Sequence, residues 1–216
     1  MNLEVVLLQD VQIFKEFFAE DEAKRWAKEN YGDWLDKIQI TKYSYSSKNI
    51  NDLLFGYSGN MDRVYNQRLR GKIKNCENQC KEFMKNIKII NNEISKLKLK
   101  ENVIVWRWTS KSEFKKLFEN AKIKKGHTFI DKAFMSTTLV ADLLENFAKN
   151  RKYDCLLKLY LPKGTKGAYI DFYDKYHLLN ECEFLLPTNT SFVFQKKFFS
   201  FKYMKWIYEC YLVGQN

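Results

Sequence analysis

The sequence predicts an α+β fold in which a helical N-terminal half packs on a β-rich C-terminal half. Three observations carry that expectation. Through residues 1–100 apolar side chains recur at three- and four-residue steps, the spacing of an amphipathic helix. From residue 101 the pattern changes to β-branched and aromatic runs bounded by turn residues. The 216 residues are 45% hydrophobic and 16% aromatic, enough for a real core, and the 8 glycines and 2 prolines leave no room for a long flexible linker.

Taken in order, Phe14, Phe17 and Phe18 followed by Ala23, Trp26 and Ala27 form the first helical pattern, and Trp34, Leu35 and Ile38 continue it after a break at Gly32. Tyr43 to Ser47 is a polar connector. Ile50 to Tyr57 is a short helix ending at Gly56, Met61 to Arg70 is another stopped by Gly71, and Lys72 to Ile90 is a longer one. Val103 to Thr109 is the first strand, and Ser112 to Asn120 a short helix capped by Ser112. The segments Lys132–Leu139, Cys155–Leu161, Gly164–Ile170, Glu181–Leu186, Ser191–Phe194 and Tyr203–Val213 complete a sheet, with a helical or looped excursion at Leu143–Lys149. There are no internal repeats.

The net charge of +11 and pI near 9.3 suit an acidic partner such as nucleic acid, an anionic membrane or a phosphate-bearing small molecule, or reflect compositional bias alone. Residues 63–100 hold eleven Lys or Arg against three Glu, mostly off the apolar face, so a nucleic-acid surface stands beside a solvated face as a reading. Five scattered cysteines argue for reduced thiols. Cys76 and Cys80, with only two histidines elsewhere, do not make a zinc site, and no metal is expected. Val5–Leu8 is too short for a signal peptide, and no run approaches the roughly 18 apolar residues of a membrane span. The expectation is a soluble protein made without a classical export signal.

Three polar features do not fit their strands. Arg107 continues the face of Val103 and Val105, and a guanidinium there needs a carboxylate or phosphate unless it snorkels to water from the strand end. Ser136 and Thr138 share a face within Phe134–Thr138, where hydroxyls can hold a carboxylate in one rotamer. If His177–Pro187 is a strand, Glu181, Glu183 and Leu185 share one face. Two acids there are costly unless the strand is an edge with both solvated. No Gly-x-Gly-x-x-Gly or Walker loop is present.

The order Arg107, then Ser136-Thr137-Thr138, then Glu181-Cys182-Glu183 resembles the mono-ADP-ribosyltransferase toxins of the Arg–Ser–Glu class, including the enzymatic components of binary actin-modifying toxins and the Rho-modifying exoenzymes. Val105-Trp106-Arg107 is similar to their aromatic-arginine strand. Phe134–Thr138 is similar to their Ser-Thr-Ser strand, with Thr138 departing from the third serine. Gly167–Asp171 leading into Glu181–Pro187 is similar to their target-recognition loop and Glu-x-Glu strand. Tyr57 and Tyr65–Arg70 resemble the helix that closes over NAD, and Phe147–Arg151 the phosphate–nicotinamide loop. The likeness covers nearly the whole chain.

The resemblance implies a single catalytic domain over residues 1–216, with a helical part at 1–100 and a β-sandwich at 101–216. It implies NAD as a consumed substrate, with no metal. Arg107, Ser136, Glu181 and Glu183 would be catalytic. Tyr57, Asn66, Arg70, Trp108, Phe147 and Arg151, with Arg107, would bind NAD. Phe172, Tyr173 and Tyr176 would dock the target. Glu-x-Glu goes with transfer to a protein arginine, on an actin-like protein or a GTPase. Secretion or delivery by a non-classical route, or within a larger toxin, into a target-cell cytoplasm follows from the same resemblance. NAD glycohydrolysis or modification of nucleic acid on the same fold, or a non-catalytic basic binding module, are the alternatives.

Overall fold

The computed structural model describes residues 13–38, 49–72, 77–119, 122–171 and 180–215. Helix α1 spans Glu20–Lys37 and runs through Gly32 without a break. Three acids in its first turn and Lys37 in its last complement the helix dipole. Ala23, Trp26, Ala27, Tyr31 and Trp34 form its buried stripe. The Trp26 indole donates to Glu101 at 2.7 Å, and that of Trp34 to the Tyr169 carbonyl at 3.1 Å. Phe14 and Phe17 precede this helix in an extended segment, bridged to the sheet where Lys15 pairs with Val103.

Helices α2 (Ile50–Gly56) and α3 (Asp62–Leu69) are not separated at Gly56. A π-helical turn, Tyr57–Met61, joins them into one continuous rod. Helix α4 follows at Glu77–Ser95, with Ile87, Ile90 and Ile94 buried. The short α5, Lys111–Lys116, is capped by Ser110 rather than Ser112: the Ser110 hydroxyl accepts from the Glu113 N–H.

The strands are β1 (Val103–Thr109), β2 (Thr128–Asp131), β3 (Met135–Thr138), β4 (Cys155–Leu161), β5 (Ala168–Tyr169), β6 (Glu183–Leu186), β7 (Thr190–Ser200) and β8 (Lys205–Gln215). A 3-10 turn at Ala141–Leu144 and helix α6 at Glu145–Asn150 lie between β3 and β4. Among the described residues the sheet order is β2-β7-β8-β4-β1-β3-β6-β5, with β4 and β8 parallel and every other pair antiparallel.

The seam between β1 and β3 is a single residue pair, Trp106 with Thr138, which divides the sheet into wings of five and three strands. Both wings contribute to one core: Val103, Leu157 and Phe192 from the first, and Met135, Phe184 and Leu185 from the second, share it with the buried faces of α1, α2 and α4. A smaller second core holds Ile104, Trp106, Trp108, Ala141, Ala148, Leu156 and Ile207. Alternation along β1 therefore sends Val103 and Val105 to the large core and the two tryptophans to the small one.

Candidate active site

The seam between the wings brings charged side chains together. At the end of β1, the partly buried Arg107 donates from Nη1 to the Ser136 carbonyl of β3 at 2.6 Å. Strand β3 pairs with β6 so that Ser136 lies opposite Leu185 and Thr138 opposite Glu183. Glu183 is only 8% exposed, and the Ser136 hydroxyl hydrogen-bonds its carboxyl. Burial is the main reason that the Glu183 pKa rises to about 8, with Glu181, Asp171 and Asp62 adding like-charge repulsion and the Ser136 bond opposing it. Burial likewise raises Glu181 to about 7, with Asp171 and Asp62 contributing. The two glutamates lose their protons as a coupled pair.

Glu181 does not stand on the strand. Strand β6 begins at Glu183, and Cys182 has φ of 45°, in the left-handed region a non-glycine residue seldom adopts. The turn is held from three sides. Cys182 donates its N–H to Asp171 Oδ2 at 3.0 Å, its carbonyl accepts from Leu139, and the Thr138 hydroxyl donates to the Glu181 carbonyl at 2.6 Å. Simple alternation over Glu181–Leu186 therefore fails at Cys182, yet Glu181 remains near enough to raise the pKa of Glu183.

Asp62 and Asp171 are two further acids here. Asp62 opens α3, directly after the π-turn; burial raises its pKa, and Arg107, Arg151 and Arg63 oppose that rise. Asp171, raised to about 6 chiefly by burial, accepts from the Tyr169 hydroxyl as well as from Cys182. Neither sits in a pattern that periodicity singles out; only their distance from other acids in the fold reveals them.

Arg151 caps α6 in the open, its guanidinium 5.2 Å from the centre of the Phe147 ring. Its effect on Asp62 places it on the same side of the molecule as Arg107. Arg107, Ser136, Glu183 and Glu181 are thus linked across β1, β3 and the start of β6, and the Arg151–Phe147 pair stands at the end of α6.

The other expected NAD contacts are placed differently. Trp108 faces the second core, 6% exposed, its indole N–H given to the Ala141 carbonyl at 2.9 Å, because it alternates away from Arg107 along β1. Arg70 is engaged by Asp131, Nε to Oδ1 at 3.1 Å and Nη2 to Oδ2 at 2.7 Å, which clasps α3 to β2. Tyr57 is 1% exposed, packed edge-on against Phe134, and its hydroxyl accepts from Asn66. The Asn66 side-chain Oδ1 accepts in turn from the Phe134 N–H. These two hold the helical rod against the entry to β3 rather than opening toward solvent, although Tyr57 lies close enough to feel Glu183 and Arg107. Phe172, Tyr173 and Tyr176 lie outside the described residues. A separate hollow of about 440 Å³ lined by Lys15, Lys100 and Lys163 opens at the other end of β1.

Among the described residues no group of three or more His, Cys, Asp or Glu is arranged to hold a metal ion, and no helix is long and apolar enough to cross a membrane. A buried carboxyl held by a serine, with a second acid acting on it and a partly buried arginine bonded to the same serine, is an arrangement suited to binding phosphate and to stabilising positive charge that develops on a sugar.

The sequence model of the ADP-ribosyltransferase exoenzyme family matches residues 23–198. An NAD(+)–arginine ADP-ribosyltransferase of Enterococcus faecalis is 35% identical over 109 residues, which cover 49% of this chain and 20% of that protein. The chain thus spans only about a fifth of that relative's length. Among solved structures, Plx2a, an ADP-ribosyltransferase toxin from Paenibacillus larvae, superposes with a TM-score of 0.69 at 22% identity, covering 94% of this chain and 100% of that one. C3stau2 from S. aureus, solved with NAD, gives 0.69 at 20% identity over 94% and 99% of the two chains. The ADP-ribosylating toxin BECa of a C. perfringens binary enterotoxin, solved with NADH, gives 0.72 at 22% identity, covering 94% of this chain and 50% of that one. At these identities the structural likeness establishes the fold.

Proposed function

The chain belongs to the ADP-ribosyltransferase exoenzyme family, and we propose that it transfers ADP-ribose from NAD to an arginine of a target protein, releasing nicotinamide. The observation that carries this reading is a buried Glu183 held by Ser136, whose carbonyl also takes Arg107, paired with a second, less constrained Glu181.

Cleavage of the bond between ribose and nicotinamide passes through an oxocarbenium-like state with positive charge on the sugar. An ionised Glu183, fixed by Ser136, is placed to stabilise that charge and to hold the ribose 2′-hydroxyl. Arg107 keeps N–H groups beyond the one given to the Ser136 carbonyl, and with Arg151 it grips the pyrophosphate. Phe147 holds Arg151 in place by stacking.

Glu181 faces the acceptor. A guanidinium is a poor nucleophile because it stays protonated up to a pKa above about 12, so a carboxylate that binds it, orients it and takes its proton during attack is what arginine transfer requires. Glu181 is positioned through its backbone carbonyl, which leaves its side chain free for that contact. The family relative from Enterococcus faecalis carries arginine transfer in its name, which supports the same acceptor.

The test separates two activities. Glu181→Ala should keep most nicotinamide release in the absence of acceptor and lose transfer to arginine, read with labelled NAD and a cell lysate. Equal loss of both activities would sink the division of roles. Sensitivity of the label to nuclease instead of protease would move the acceptor from protein to nucleic acid.

A further inference from the structure

The β7–β8 hairpin extends beyond the strands that flank it. Among the described residues the last backbone bonds on the outer side of β7 are those of Phe194 with Gly126 and His127, and β4 meets β8 only from Trp206 onward. The strand pair nevertheless continues to Ser200 and Lys205 before it turns. Lys196, Lys197, Phe198 and Phe199 are consecutive and all exposed. Successive strand residues point to opposite faces, so both faces of this arm are in water.

The composition of the arm is one-sided. From Gln195 to Trp206 there are four lysines, five aromatic residues and a methionine, with no carboxylate. Phe201 is 83% exposed, Met204 65% and Trp206 42%. The rings of Phe201 and Trp206 each pack against Phe199 at 5.6 Å, and Lys197 lies 5.0 Å over Trp206. The base of the turn is clamped where the Tyr203 hydroxyl and Lys202 both reach Asp142, at 2.6 and 2.7 Å. A rigid, apolar tip with a cationic rim is thus presented to solvent, where scattered single apolar residues are the norm and clusters mark interaction sites.

We propose that this tip is an anchor for an anionic lipid bilayer. Phe201, Met204 and Trp206 insert at headgroup depth, while Lys197 and Lys205 meet the lipid anionic groups. A bilayer surrounds both faces of an inserted arm, whereas a groove on a protein covers one; Lys196 and Lys202 are paired with Glu209 and Asp142, and it is Lys197 and Lys205 that complement an anionic surface. The tip lies at the Cys155 end of β4, which pairs with the Arg107 end of β1. Docking would hold the candidate active site close to the bilayer and favour acceptor arginines on membrane-bound targets. That last consequence rests on the transferase reading; the anchor does not.

Flotation of the full chain with phosphatidylcholine vesicles, and with vesicles containing about 30% phosphatidylserine, tests it. Binding is expected to the anionic vesicles alone and to weaken with salt. Tryptophan emission should shift to the blue on binding, reporting Trp206, because Trp26, Trp34, Trp106 and Trp108 are already buried. Phe201→Ser with Met204→Ser leaves the charge intact and should weaken partitioning by about tenfold or more. Lys197→Glu with Lys205→Glu should abolish it. Circular dichroism and nicotinamide release by these surface variants serve as checks that they fold. No vesicle binding by the native chain overturns the proposal. So does equally tight binding by the serine variant, which would mean diffuse adsorption by a chain of net charge +11. Retention by an acidic protein in place of vesicles would move the surface to a protein partner.

Discussion

Asp131 and Glu183 are buried under opposite terms. Asp131 is 1% exposed and meets the Arg70 guanidinium at two points, and its Oδ1 also accepts from the Ala133 N–H. Glu183 is 8% exposed and has a serine hydroxyl for support, with three other acids pressing on it. The first is satisfied, and it ties α3 to the outermost strand of the larger wing. The second is held in an arrangement that costs stability unless something positive arrives. The difference teaches where to look for chemistry: a buried acid clasped by its cation is architecture, and one held by a hydroxyl among other acids is a candidate for function.

The largest effect expected tests the architectural half. Asp131→Ala leaves the partly buried Arg70 without its partner and should destabilise by about 3–5 kcal/mol, seen as a lowered denaturation midpoint. Nicotinamide release per folded molecule should change far less; a large loss there would make Arg70–Asp131 part of the site.

Next comes the stability of Glu183→Gln. The folded-state pKa of about 8 lies above the ordinary 4.5. The unfolded chain therefore releases this proton first, and native stability falls as pH rises from about 4.5 to about 8. Glutamine removes that loss, so the variant should be more stable than the native chain above pH 8 and equal to it below pH 4.5. Thermal melts at the two extremes read the sign; a destabilised variant at high pH would mean that Glu183 is satisfied after all.

The same substitution should cut nicotinamide release by about a hundredfold, near 2.7 kcal/mol. The native enzyme's kcat/KM for that reaction should climb as pH passes through about 8, where the free enzyme's Glu183 ionises. Smallest, Ser136→Ala should slow release by about tenfold and move that midpoint to higher pH, because the serine hydroxyl is what lowers the Glu183 pKa. An unmoved midpoint would remove the serine from its positioning role.

Much of this was legible in the order of residues. The valine face of β1 and the tryptophans between are a period-two signal, and it placed Arg107 on the larger-core face correctly. Local patterns failed where a long-range partner or an unusual backbone decides. Strand β2 is four residues long, and its Asp131 reads as a turn acid until Arg70, 61 residues earlier, is beside it. Gly32 and Gly56 looked like helix ends, yet tertiary packing carries the helix through the first, and a π-turn directly after the second continues the rod. The left-handed Cys182 broke the alternation expected of a strand from Glu181 onward, a backbone departure that no propensity announces. The family resemblance offered Trp108 and Arg70 as ligand contacts, but in the fold the Trp108 indole bonds the Ala141 carbonyl and Arg70 clasps Asp131.

The turn at Cys182 bears on how such an enzyme can diversify. Thr138 holds residue 181 by its carbonyl, and Asp171 holds residue 182 by its N–H, so neither hold depends on which side chain position 181 carries. Glu183, by contrast, is locked into β6 against β3 and cannot change in size without disturbing buried neighbours on both strands. Under the proposed roles, the step common to all acceptors is kept on the rigid strand. The position that meets the acceptor sits one residue outside it, where descendants can exchange the side chain and adopt a new target without rebuilding the fold.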